Sequence, residues 1–308
     1  YEAVKETGKP CAMFISQEEG GNTKTIAKAI EKAKEFKDIL DKQKRVPCPI
    51  SKLMIATKCG GTDATSGLAA NPAVGSMVDK VIDAGGSAIL SELNELLGTE
   101  KFLAKRAVND IVAKKIYAAI DEIESTLRNG LDFTLPENRN HLISTGNFAG
   151  GVSSIVEKAL GGVHKSGTRP FVDVLEYAIK PKDNQHGLFL MNYESHDGEV
   201  VTGEIGCGSQ IVAFTTGRGH ATGHPLVPVI KITGNYKTYN NMKECFDIDA
   251  SQIISDGVSI DEMGDRILDL VIAVASGKQT TAEILGGDEL FCVARRHGIH
   301  KIVPTCEC

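Results

Sequence analysis

Apolar positions along the chain follow two rhythms. Across residues 23–45 they recur at Ile26, Ala29, Ile30, Ala33, Ile39 and Leu40, the spacing that lines one face of a helix, with Asn22 or Thr23 as its cap. Short unbroken apolar runs instead predict buried strands. They fall at 11–16, 53–56 and 87–90, and near 171–175, 187–191, 211–215 and 228–233. Residues 71–84 read as a helix with Pro72 in its first turn, where a missing N–H costs nothing, and Gly85-Gly86 ends it. Strand, helix, strand at this spacing makes a βαβ unit. A long helical stretch over 99–128 closes at Asn129-Gly130, and 131–144 reads as a polar loop. Gly150-Gly151 lead into a helix to about Leu160, and Ser259 with Glu262 forms a capping-box pair before an amphipathic helix ending at Gly277. The pattern predicts an α/β fold: a largely parallel sheet, flanking helices and Gly-rich loops at strand ends, with ligands at the carboxyl ends of the strands.

Val46-Pro47-Cys48-Pro49 is a natural boundary, because each proline disfavours helix before it and lacks a donor. The chain's 308 residues, 42% of them hydrophobic, are enough for a sizeable core. A net charge of −6, with no basic stripe interleaved with aromatics, argues against nucleic acid. No apolar run approaches the roughly 18 residues of a membrane span. Eight cysteines in a chain this long are too sparse for a disulfide framework and point to a reducing cytoplasm.

Several stretches carry candidate chemistry. Lys58-Cys59-Gly60-Gly61-Thr62-Asp63 follows the strand at 53–56. A cation, a thiol and a carboxylate share a turn whose glycines let backbone amides approach an anion; a plain tight turn with solvated charges would look the same. Asn71-Pro72, opening the next helix, adds an N-terminus that favours anions. Ser91-Glu92, with Glu95 beyond, ends the next strand; a carboxylate there suits a base or a metal ligand, or is an ordinary acid near a helix start. Gly146-Asn147-Phe148-Ala149-Gly150-Gly151 is a second amide-rich turn. In the run from Thr215 to His224, Arg218 stands between Gly217 and Gly219. Packing explains that poorly, whereas a guanidinium can grip a carboxylate or sulfonate with two hydrogen bonds. His220 and His224 suit acid–base or metal chemistry, or a solvated loop. Lys231 lies inside an apolar strand, costly unless paired or functional, and Asn235 closes that strand. His297, His300, Cys306 and Cys308 cluster at the end as weak metal candidates, with the spacing of no standard finger. Gly20-Gly21-Asn22-Thr23-Lys24-Thr25 is not a phosphate loop, since Thr23 stands where that motif requires Gly.

In this order the stretches resemble the altronate/galactarate dehydratase family. Lys58-Cys59-Gly60-Gly61-Thr62-Asp63, with Ser66-Gly67 and Asn71-Pro72, is similar to the family's first block, and Ser91-Glu92 with Glu95 to its next. Gly146-Asn147, Gly150-Gly151, Glu157-Lys158 and Leu160-Gly161 resemble a third; Thr216-Gly217-Arg218-Gly219 with Lys231 a fourth; Ser276-Gly277-Lys278 a closing one. The likeness runs from about 50 to 285. It departs at Ser144-Thr145 before Gly146, at Phe148, at the histidine loop and at the terminal cysteines.

The resemblance implies a lyase performing metal-assisted β-elimination of water from a sugar acid to give a 2-keto-3-deoxy acid. A sulfolactate sulfo-lyase large subunit, releasing sulfite and pyruvate, is the alternative, and a noncatalytic acid-binding or assembly subunit a third reading. Lys58, Asp63, Glu92 and Arg218 become the expected catalytic residues: Lys58 and Arg218 for the substrate anion, Glu92 or Asp63 as base or metal ligand. Cys59, Gly60, Gly61, Asn71, Asn147, Gly217, Gly219, His220, Lys231 and Asn235 would bind substrate. A divalent metal is implied, iron first, with manganese or magnesium as alternatives. Residues 1–49 are expected to be the tail of a middle domain and 50–308 the C-terminal domain. The implied partners are a small anionic 2-hydroxy acid, an N-terminal small β domain or separate small subunit, and further copies of the chain.

Overall fold

The computed structural model describes residues 1–127 and 143–287. His297, His300, Cys306 and Cys308, and nearly all of the expected loop at 131–144, lie outside these residues. The chain divides into two units, Tyr1–Cys48 and Pro49 onward.

In the first unit the predicted helix is present as α1, Asn22–Asp41. Its cap is Gly21, at φ 100°, and neither Asn22 nor Thr23 supplies a side-chain cap. Residues 11–16 are not a strand. They run as coil into a short helix, Ser16–Glu19, with Met13 and Ile15 exposed. A strand needs a partner edge for its backbone groups, and the described residues of this unit include no other strand.

The second unit is an α/β fold around seven described strands, all parallel: β1 Met54–Cys59, β2 Ser87–Leu90, β3 Phe171–Glu176, β4 Leu188–Asn192, β5 Ile211–Thr215, β6 Val229–Thr233 and β7 Ile248–Asp249. Their order is β3-β4-β2-β1-β5-β6-β7. β1, β2, β4, β5 and β6 are buried at every residue. That is why they read as continuous apolar runs: a parallel sheet is covered on both faces. On one face α2 (Asn71–Asp83) packs through Val74, Met77 and Val78, beside α6 (Ile260–Ala275) with Ile267 and Val271. On the other, α5 (Asp197–Gly206) lays Val200 and Val201 against Phe189 and Phe214.

The chain leaves central β1 for β2 on one side and returns to β5 on the other. Ligands of open α/β sheets bind at such a reversal. The registers Lys58↔Phe214 and Phe214↔Lys231 set these three residues in one row across β1, β5 and β6. Paired positions on neighbouring strands share a face, so all three lie on one side of the sheet.

Two readings are corrected. The stretch at 99–128 is two helices, Glu100–Lys105 and α3, Asp110–Leu127. Between them Ala107 bridges to Phe171, and the Asn109 side chain accepts from the Val112 amide at 3.0 Å, restarting the helix. Asn71 is also not at an open helix N-terminus, because a π-helical turn, Ser66–Ala70, runs directly into α2. The amides there are already inside a helix and present no anion site. Ser259 does cap α6, accepting from the Glu262 amide at 3.0 Å. A full reciprocal box stands at Thr280 and Glu283.

Candidate active site

The carboxyl ends of β1 and β2 bring charged side chains together out of water. Glu92 follows β2 in the left-handed region, at φ 70°. That is unfavourable for a side chain with a Cβ, but it turns the carboxylate toward β1. Lys58 Nζ donates to Glu92 Oε1 and Lys165 Nζ to Glu92 Oε2, while the Cys59 amide donates to Oε2 at 3.0 Å. Lys58, Glu92 and Lys165 are all at most 1% exposed. Lys58 also meets Asp197 Oδ1 at 2.7 Å.

Burial by itself would neutralise these groups, and their mutual contacts prevent it. Desolvation lowers the Lys58 pKa, but Glu92 and Asp197 outweigh it and hold the ammonium well above its ordinary range. Lys165 is likewise carried upward against burial, by Cys59 and Glu92. Burial raises Glu92, yet Lys165 and Lys58 bring it below the usual carboxylate range. Glu92 is therefore ionised but a weak base. Burial, reinforced by Glu92, pushes the Cys59 thiol up to about 11.

A second arm runs from Cys59 Sγ to Glu95 Oε2, 3.6 Å away, and from Glu95 Oε1 to Lys158 Nζ at 2.8 Å. Lys158 donates on to Asn147 Oδ1 at 2.8 Å, and Asn147 Nδ2 to the Thr62 carbonyl at 3.0 Å. Asn147 thus ties the Gly146 turn to the β1 loop. Asp63 is a brace: its carboxylate accepts from Thr65 Oγ1 (2.7 Å), the Ser66 amide (3.0 Å) and Asn235 Nδ2 (2.7 Å). It also fills the space beside Gly217, where a Cβ would fall 2.1 Å from its Cγ. Arg218 is exposed at the rim and donates to the Gly146 carbonyl at 2.5 Å. Asn71 lies beneath the site, accepting from Thr215 Oγ1 at 2.6 Å and donating to the Gly161 carbonyl at 2.9 Å.

These residues sit at the positions that a sequence model described as D-galactarate/altronate dehydratase, C-terminal, spans from 50 to 297. The chain belongs to this family. It is similar to the (2R)-sulfolactate sulfo-lyase subunit beta of Chromohalobacter salexigens, 37% identical over 94% of the chain and 73% of that protein. It resembles the galactarate dehydratase (L-threo-forming) of Escherichia coli at 34% identity, over 79% of the chain and 45% of that enzyme. It resembles the altronate dehydratase of Bacillus subtilis at 35%, over 81% of the chain and 49% of that enzyme. The chain thus spans about half the length of these dehydratases.

In this dehydratase-family chain, Cys59 Sγ and carboxylate oxygens of Glu92 and Glu95 all lie within 4.8 Å of one another. A cysteine sulfur with two carboxylate oxygens is a donor set consistent with a divalent metal. Of the expected site residues, Lys58, Cys59 and Glu92 converge. Gly60, Gly61, Asp63, Asn147, Gly217 and Asn235 build the loops around them. Asn71 packs beneath, Arg218 stands at the rim, and Gly219, His220 and Lys231 lie toward β6. Sequence reading missed Lys158, Lys165, Asp197 and Glu204 as members of the charge cluster. Lys158 sits in a family motif. Lys165, in a turn after α4 (Ile155–Val163), carries no local signal.

Glu204, on α5, is fully buried and accepts from Ser91 Oγ at 2.6 Å. Burial first, then the neighbouring Glu92 charge, push its carboxyl up to about 8, against the opposing Ser91 bond. Between its ordinary value and 8 the unfolded chain has lost this proton and the folded protein keeps it, so stability falls as pH rises through that window. Glu204→Gln should match the parent within about 1 kcal/mol at pH 6 and lose less stability than it between pH 6 and 9. Urea denaturation at both pH values checks this. Parallel pH dependence in the two proteins would show that Glu204 is ionised in the fold.

Proposed function

We propose that this chain is the catalytic part of a lyase that acts on a small anionic 2-hydroxy acid by β-elimination, yielding a 2-keto acid. The observation that carries this reading is Glu92 clamped between Lys58 and Lys165 at the carboxyl ends of the central strands. Removing the proton beside a carboxylate places negative charge on an enediolate, and such charge is stabilised by preorganised cations in a dry site. Lys58 and Lys165 are ammonium groups that their carboxylate partners keep charged. Lys158 extends the positive field, and Arg218, exposed at the rim, would receive the substrate carboxylate. Cys59, Glu92 and Glu95 would hold a divalent cation; the thiol favours iron over magnesium. Bound there, the cation would supply Lewis-acid polarisation of substrate oxygens. The weak basicity of Glu92 suits it to anchoring charge and ligating rather than to removing the proton.

The leaving group is water in the sugar-acid reading and sulfite in the other. One observation favours sulfite. The match to the sulfo-lyase beta subunit takes in 289 residues, against 242 to 258 for the dehydratases, so it reaches further beyond the family region at 50–297. That relative's name implies a partner subunit, and we propose one here, either separate or as a further domain, with self-association and a cytoplasmic location. No helix of the described residues is long and apolar enough to cross a membrane.

The test is turnover by the full-length protein, anaerobically with ferrous iron and any separately encoded small subunit, on altronate, galactarate and 3-sulfolactate. Sulfite with pyruvate from sulfolactate assigns the sulfo-lyase branch. Keto acid from a sugar acid assigns the dehydratase branch. Tight binding without product from any of them assigns a noncatalytic acid-binding subunit and sinks the lyase reading.

A further inference from the structure

Four lysines are buried among the described residues: Lys58, Lys158, Lys165 and Lys231. The first three each meet a carboxylate. Lys231, at 0% exposure, does not: its Nζ has no hydrogen-bond partner among the described residues. The ammonium instead lies 3.6 Å from the centroid of the Phe214 ring. His220 stacks on the same ring, centroids 5.0 Å apart and planes at 26°, and its buried Nδ1 also has no partner among the described residues. Two unsatisfied nitrogens therefore flank one aromatic ring, in the row that begins at Lys58.

The neighbouring carboxylates are committed elsewhere. Asp197, from α5, spends one oxygen on Lys58 (2.7 Å) and the other on His220 Nε2 (2.8 Å). Asp247, just before β7, accepts from the backbone amides of Lys231 (2.7 Å) and Thr281 (2.8 Å). Lys58, from β1, adds a like charge, and the Cys245 thiol also lies near Lys231. Burial pushes the Lys231 amine down to about 7. A buried ammonium without a counter-ion is costly, and contact with an aromatic face offsets only part of that cost. Buried polar groups left unpaired in a native fold call for an explanation, and a missing ligand is one.

Resting on the lyase reading above, we propose that Lys231, against Phe214, is the centre of a second anion subsite. It takes a carboxylate or sulfonate at the far end of the substrate, and so selects dianionic 2-hydroxy acids over monoanionic ones. The first anionic group belongs at the Arg218 end. A cavity of about 10 Å³ lined by Asp197, Phe214, His220 and His224 has room for about one water. Lys231 does not line it, so the subsite is closed in this structure and admits an anion only as the side chains over Lys231 rearrange.

The test compares 3-sulfolactate with lactate, which lacks only the sulfonate, by calorimetry on the full-length protein; galactarate with galactonate makes the same comparison for sugar acids. In at least one pair the dianion should bind ten-fold or more tightly than its monoanion. Binding should also take up protons, read from titrations in buffers of different ionisation heat, because the amine charges on meeting its counter-ion. In Lys231→Met the affinity ratio should fall about ten-fold. Equal affinities within both pairs in the unaltered protein would overturn the subsite, whatever the variant does. So would an unchanged ratio in a folded Lys231→Met. Release of sulfite or keto acid is scored separately, so failure of the lyase reading is distinguishable from failure of the subsite.

Discussion

Glu92→Gln is expected to lose about 3–5 kcal/mol of stability and essentially all turnover. Glutamine keeps the shape of the side chain but not its charge, so Lys58 loses one of its two carboxylates and Lys165 loses the one it has among the described salt bridges. Both ammonium groups stay buried, and breaking a buried ion pair from one side typically costs that much. A buried triad is not intrinsically stabilising, however. Removing charge from both sides should recover stability, so Glu92→Gln combined with Lys165→Met should be less destabilised than the sum of its parts, a coupling a double-mutant cycle reads directly. Turnover should not recover in the double variant. Denaturant titrations of the four proteins, with assays of each, give both answers. A Glu92→Gln protein within 1 kcal/mol of the parent would mean that the lysines find other partners, and the charged cluster would lose its claim to be the organising feature of the site.

The opposite sign is expected at Lys231. Its side chain meets no counter-ion among the described residues, so Lys231→Met removes a desolvation penalty and substitutes an apolar chain of similar length beside Phe214. The gain depends on pH. Burial has lowered this amine from 10.5 to about 7. Above 10.5 the group is neutral in both states and costs little. As pH falls from there toward 7, the unfolded chain takes up a proton that the folded protein refuses, and the parent loses stability. Below 7 both states are charged and the deficit is constant. Lys231→Met should therefore be more stable than the parent by about 1–4 kcal/mol at pH 7, with the advantage shrinking toward pH 10. Melting both proteins across pH 6–10 checks this. A variant that is less stable at pH 7 would show that Lys231 holds a partner in the fold.

Much of the sheet was legible because parallel strands buried on both faces leave continuous apolar runs. The runs near 53–56, 87–90, 171–175, 187–191, 211–215 and 228–233 all became strands. The run at 11–16 has the same composition without a neighbouring edge, and pairing is a property of the fold rather than of the segment. Lys58, Cys59 and Glu92 were legible through motif and placement at strand ends. Lys165 and Asp197 were not, because each is polar in an ordinary-looking polar stretch and acquires its role from a distant partner, Lys165 from Glu92, 73 positions away, and Asp197 from Lys58 on β1. Asn71 shows the converse. Asn-Pro reads as a helix start, but a π turn absorbed the amides that would have met an anion.

Central β1 has a consequence for how the protein is made. Its neighbour β5 begins at Ile211, more than 150 residues downstream, and Lys58 meets Asp197 only when α5 crosses the sheet. Until that long loop closes, Lys58 and Glu92 on a nascent chain are solvated charges that favour staying in water, and β1 is an unpaired apolar edge on one side. Such distant pairing is slow and leaves edges open to other chains. The chain is therefore most prone to aggregate while the ribosome is still between β2 and β5, and a truncation ending before Ile211 should be recovered as insoluble material.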